Sequence, residues 1–253
     1  MRLALLILMW LAPTFLFAQN SSQYEFDEAN TKLENGDYKN ALQQYRTIID
    51  DGEESGALYL NMGIAAVQLD SLGLAKYYFT RALAFDTAEQ EANTALDFVN
   101  SQFSRQSATL PKLPWDKLVD ILKVSPGTFG VFMIGYIILC IAVLLLLAKW
   151  FNFISFKKLP TLIMSIAGVG MVVLILAFYV DYVDQRYDEA ILITEQSSVT
   201  QKPDSTSTLV SMAYEGYPLT IDQSASEGHS DWYYVRLGNG QYGWIKKSGI
   251  LKL

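Results

Sequence analysis

Residues able to carry acid–base, nucleophilic or metal chemistry are present but scattered. His229 is the one histidine and stands in the polar run Glu227-Gly228-His229-Ser230, with no second ligand at metal-binding spacing. It reads as a solvated side chain. Asp50-Asp51 and Glu53-Glu54 are paired acids that could share a proton or hold a cation, yet they flank Gly52 in a turn and nothing places them around a pocket. Cys140 is the only cysteine and lies in an apolar run, so no internal disulfide can form. An enzyme needs a base, nucleophile or ligand set that converges. The sequence offers none, and the expected catalytic, metal and cofactor-binding residues are none.

Binding chemistry is better represented. Trp232, Tyr234 and Arg236 alternate with Tyr233, Val235 and Leu237, so in a strand one set faces a core and the other faces out. With Tyr242, the outward set could line a shallow aromatic groove. Packing is the competing role for aromatic residues in so small a domain. Lys32 and Asn61, at helical positions nearer the start of the chain, are the other candidate partner-binding residues.

The elements that position these residues divide the chain. From Ile191 onward short apolar runs alternate with turn residues, including Gly238-Asn239-Gly240, a hairpin signal between two aromatic-rich strands. Upstream, Ala41 and Ala75 are 34 residues apart, and Tyr45 and Ile48 answer to Phe79 and Ala82. A period of that length marks a helical hairpin that needs neighbours to bury its apolar face. Ser22 with Glu25, and Thr87 with Gln90, predict capping boxes at helix starts, and the stretch from Thr87 to about Arg105 reads as a solvating end helix.

Three apolar blocks complete the plan. Residues 1–18 run from Arg2 through an apolar stretch to Leu16-Phe17-Ala18, the layout of a secretory signal cut after Ala18. Phe129–Ala148 and Leu159–Val180 are uncharged and long enough to cross a bilayer. Lys149, Lys157 and Lys158 between them meet no acid, which assigns the connection 149–158 to the cytoplasm. Neither span holds a charged residue or a histidine, which argues against transport. Thr161, Ser165 and Gly168 share one helical face that would let another helix approach. Residues 114–124 read as an amphipathic helix on the outer membrane surface, with Trp115, Leu118, Val119 and Leu122 against the lipid.

Charge excludes one class. Residues 19–110 carry six Lys or Arg against fourteen Asp or Glu, and residues 181–253 six against ten. No nucleic-acid footprint exists.

Gly36-Asp37-Tyr38, Tyr59, Met62-Gly63, Ala75, Phe79 and Ala82-Leu83 resemble the tetratricopeptide repeat, although Asp70 stands where that family has its turn glycine. Asp231-Trp232-Tyr233, Val235-Arg236-Leu237, the Gly-Asn-Gly turn and Gly243-Trp244-Ile245 resemble the bacterial SH3-like family. The expected fold is thus a multidomain membrane protein: an all-α tetratricopeptide-repeat solenoid, a two-helix transmembrane hairpin and a small all-β SH3-like barrel. The plan is a signal at 1–18, a repeat domain at 19–106, a linker at 107–128, spans at 129–148 and 159–180, a linker at 181–190 and the β domain at 191–253. This order resembles the BatE-type aerotolerance proteins of Bacteroides. The resemblance implies a non-enzymatic scaffold in the inner membrane that faces the periplasm and gathers protein partners, other Bat proteins with von Willebrand A-type domains among them. The alternative expectation is a cell-wall sensor or binder whose SH3-like domain takes peptidoglycan. Nucleic acid is not expected as a partner.

Overall fold

The computed structural model describes residues 22–105 and 107–253, so the expected signal segment lies outside the described residues. Two compact units result. One gathers the described residues up to Thr109 with Glu189–Ile221 and Gly228–Leu253, and the other gathers Leu110–Asp188 with Asp222–Glu227.

In the first unit, helix α1 (22–34) pairs with α2 (Tyr38–Asp50), and α3 (Gly56–Gln68) pairs with α4 (Leu72–Ala82). The second pair repeats the first at an offset of 34 residues. Each internal turn is tight because one residue takes the left-handed backbone region: Gly36 at φ 79 and, at the equivalent place, Asp70 at φ 56. Aspartate is among the few side chains that tolerate this region. Ala41 and Ala75 are both 0% exposed where paired helices meet, and Tyr45, Leu58, Tyr59, Met62 and Phe79 fill the core around them. Gly63 is required by close approach, since a Cβ there would stand 2.3 Å from the Phe79 ring.

Caps differ from expectation. Thr87 lies within a 3-10 turn, Asp86–Ala88, and α5 (Glu89–Gln102) starts from Ala88 without a side-chain cap. The proximity of Phe85 and Ala88 to Gly56 tightens this segment into a turn before the helix begins. Ser55 instead caps α3, accepting from Leu58 N–H at 3.1 Å. Nor is α5 only a solvating helix: Ala92 and Val99 are buried in the helical core.

The β domain has seven strands among the described residues: β1 (Tyr187–Leu192), β2 (Gln196–Thr200), β3 (Leu209–Tyr214), β4 (Pro218–Asp222), β5 (Trp232–Leu237), β6 (Tyr242–Lys246) and β7 (Ile250–Lys252). They form one sheet in the order β3-β2-β6-β5-β4-β1-β7. Leu192, Val199, Ala213, Ile221, Val235 and Ile245 make its core. A short helix, α9 (Gln223–Ser226), follows β4.

In the second unit, α6 (Pro114–Val124) precedes α7 (Gly127–Trp150) and α8 (Leu159–Arg186). Both α7 and α8 are long and apolar enough to cross a membrane. They contact one another at glycines: a Cβ on Gly135 would crowd Leu174, and one on Gly170 would crowd Leu139 and Ile138. Small residues permit such approach, but they are not those of the predicted stripe, for Gly168 has open space around it. Phe132 and Phe178 meet edge to face at 6.1 Å. Helix α8 continues six residues past the predicted span, and β1 begins at once at Tyr187. Residues 181–190, expected as a linker, are therefore helix and strand. Along α6, Val119 is buried while Trp115, Leu118 and Ile121 remain exposed, and Lys123 pairs with Asp184 of α8 at 2.8 Å.

Candidate functional site: an aromatic face on the β domain

Strands β5 and β6 are joined by the Gly238-Asn239-Gly240 turn, in which Gly240 takes φ 85 and Asn239 accepts from Gln241 N–H at 3.0 Å. The turn fixes the register, and register decides which side chains share a face. Trp232 stands opposite Lys246, Tyr234 opposite Trp244, and Arg236 opposite Tyr242. Val235, Leu237 and Ile245 are buried, and Tyr233 packs against the same core. The alternate residues accordingly make up the outer face.

That face is a continuous aromatic surface. The rings of Tyr234 and Tyr242 lie 6.2 Å apart at 19°, and those of Tyr234 and Trp244 lie 5.3 Å apart at 57°. His229 meets Trp244 edge-on at 4.5 Å, so it is a packed member of the cluster and not the solvated residue expected. Arg236 lies 6.0 Å from the centre of Tyr242, and Lys246 5.9 Å from that of Trp232, distances at which a cation is attracted to the ring face. Tyr242 is 53% exposed. Two cations, four tyrosine and tryptophan rings and the His229 imidazole thus line a surface on an otherwise acidic chain.

Gly243 and Trp244 divide the structural work. A Cβ on Gly243 would stand 2.6 Å from Val199 and 2.8 Å from the Thr200 carbonyl oxygen. Glycine therefore lets β2 and β6 close together, and the next residue turns its ring outward beside Tyr234. Buried Thr200, opposite Trp244 in the ladder, donates through Oγ1 to the Lys202 carbonyl at 2.7 Å, satisfying the hydroxyl behind the tryptophan.

Of the predicted binding residues, Trp232, Tyr234 and Tyr242 occur together on this face. Lys32 and Asn61 occur elsewhere and are engaged within the helices. Lys32 donates to Gln44 Oε1 at 2.5 Å and pairs with Glu28 at 2.9 Å. Asn61 donates to Asn30 Oδ1 at 2.8 Å, and the Tyr45 hydroxyl donates to the same atom at 2.6 Å. Burial pushes that tyrosine's pKa up to about 12, so it stays a donor. Of the paired acids, Glu54 is taken up by Arg81 at 3.1 Å. Among the described residues, no group of three or more His, Cys, Asp or Glu could hold a metal ion. Trp244 and His229 were missed as site residues. The alternation Tyr242-Gly243-Trp244 carried the signal for the first; nothing local marked the second.

The result is an antiparallel β domain with an outward aromatic face and a Gly-Trp pair in β6. Residues 180–251 match the GW (Gly-Tryp) dipeptide domain family, with Gly243-Trp244 inside the matched region. No curated protein matches the chain.

Proposed function

We propose that this is a membrane-anchored, non-enzymatic cell-wall-binding protein whose β domain takes peptidoglycan on the face formed by Tyr234, Tyr242 and Trp244. The observation that carries the reading is that this aromatic face stands in a domain matching the GW family, a class of bacterial cell-wall-binding SH3-like domains. Aromatic rings offer flat apolar area to the C–H faces of sugar rings, at low entropy cost because they have few rotors. Arg236 and Lys246 add attraction for the carboxylates of wall polymers.

The apolar helices α7 and α8 anchor the chain in the inner membrane. The lysines of the 149–158 connection put that connection inside and the β domain outside, in the periplasm. Helix α6 lies at the outer interface with Trp115, Leu118 and Ile121 in the headgroup region. The helical hairpins at a 34-residue offset support a tetratricopeptide-type array that holds a protein partner. The scaffold reading, with Bat proteins as partners in aerotolerance, rests on the order of the modules, and the GW match carries cell-wall binding ahead of it. The test is co-sedimentation of the detergent-solubilised chain with purified peptidoglycan sacculi.

A further inference from the structure

The helical array and the β domain are separated in sequence by both apolar helices, yet they belong to one compact unit. Helix α4 has no side-chain cap of its own, for Ser71 makes none. Glu215, 142 residues further on in the turn between β3 and β4, supplies one instead: its Oε1 accepts from Gly73 N–H at 2.6 Å. A carboxylate at this end of a helix satisfies an otherwise orphaned donor and meets the positive end of the helix dipole.

Two glycines make the approach possible. A Cβ on Gly73 would lie 2.6 Å from Glu215 Cγ and 2.9 Å from the Leu192 carbonyl oxygen, and one on Gly216 would lie 2.2 Å from the Phe103 ring. Ile193 and Leu251 pack against the helical core. Lys76 stands 5.5 Å from the Phe103 ring centre, and its burial there pushes the ammonium pKa below the usual value. Arg105 covers Tyr214 at 4.4 Å and donates to its hydroxyl at 2.6 Å. Further along, the 107–109 segment lies against Gly238.

A helical stack of two hairpins and an end helix leaves apolar surface at its margins for another element to cover. We propose that in this protein the cover is its own β domain, latched by Glu215 on Gly73 and Phe103 on Gly216, so that the two modules act as one body on one side of the membrane and a second copy does not stack there. The proposal rests on the membrane reading above only in requiring that both modules lie on the same side.

The test uses the full chain in native membranes, with Cys140→Ser, Arg105→Cys and Tyr214→Cys, positions whose side chains meet across the docking face and whose exchange leaves Gly73, Glu215 and Gly216 in place. A short bismaleimide should give an intramolecular bond, seen as faster migration. A covalent dimer would overturn the proposal in favour of stacking between copies. The single-cysteine chains are labelled in spheroplasts with a membrane-impermeant maleimide. If both label from outside but no bond forms, docking is overturned while the membrane reading stands. If they label from opposite sides, both fall. Glu215→Ala should increase amide exchange of Gly73 at least tenfold in the full chain, while Glu215→Gln, which keeps the acceptor oxygen, should restore most of the protection. Unchanged exchange in Glu215→Ala would count against the latch.

Discussion

Gly36 and Asp70 stand 34 residues apart, and both hold the left-handed backbone region, at φ 79 and φ 56, where the first helix of each hairpin ends. The equivalence predicts that Asp70→Gly stabilises the protein. Glycine relieves the Cβ strain of this region, and its greater freedom when unfolded offsets only part of the gain, leaving about 0.5–1 kcal/mol. Thermal unfolding of the purified chain checks this, and a lower midpoint would contradict the shared turn geometry.

Ala41 and Ala75 are fully buried at equivalent helix contacts. Ala75→Trp should cost at least about 1–3 kcal/mol, because a close-packed site has no room for an indole. Ala84→Trp is the control: that residue is exposed two positions beyond the end of α4, and the change should stay within about 0.5 kcal/mol. Equal midpoints for the two variants would refute the packing described.

Asp222 ends β4, accepts from Ala225 N–H at 3.0 Å, and receives the Arg186 guanidinium at 2.9 Å. Burial pushes its carboxyl upward, but the bonds from Arg186 and from backbone N–H groups outweigh this and leave the pKa below the usual carboxylate value. A depressed folded-state pKa stabilises above the unfolded value, and the stabilisation is lost as pH falls through the folded one. The difference in thermal midpoint between the native chain and Asp222→Asn should therefore be constant above about pH 5 and narrow below about pH 4. A difference that widens in acid would show the sign to be wrong.

The proposed topology puts the helical array and the β domain outside the cytoplasm. Alkaline phosphatase joined after Leu253 should be active, and the same enzyme inserted within 149–158 should be inactive. The reverse pattern would invert the topology.

Much of this architecture was legible wherever a local rule and the tertiary contacts agree. The Gly-Asn-Gly turn, the alternation of β5 and the amphipathic α6 each follow from a few adjacent residues. β2 has little local strand signal, because Gln196-Ser197-Ser198-Val199-Thr200 carries one apolar residue: its membership comes from pairing with β3 and β6, which no window sees. Thr87 misled because a capping pattern cannot register the crowding of Gly56 by Ala88. Lys32 and Asn61 looked available because hydrogen bonds between helices leave no local trace. The aromatic face was half visible, since Tyr234 and Tyr242 could be paired by alternation, whereas the place of His229 against Trp244 depends on the loop after α9.

On the proposed function, the β5–β6 aromatic face binds the cell wall. The direct measurement is a binding isotherm of the full chain on purified sacculi, for the native protein and for Tyr234→Ala with Tyr242→Ala, with circular dichroism confirming that both are folded. Anchor residues of this kind each contribute on the order of 1–2 kcal/mol, so the double variant should bind at least about tenfold more weakly. A folded double variant that binds sacculi as tightly as the native chain, or a native chain that does not bind them, would contradict the account.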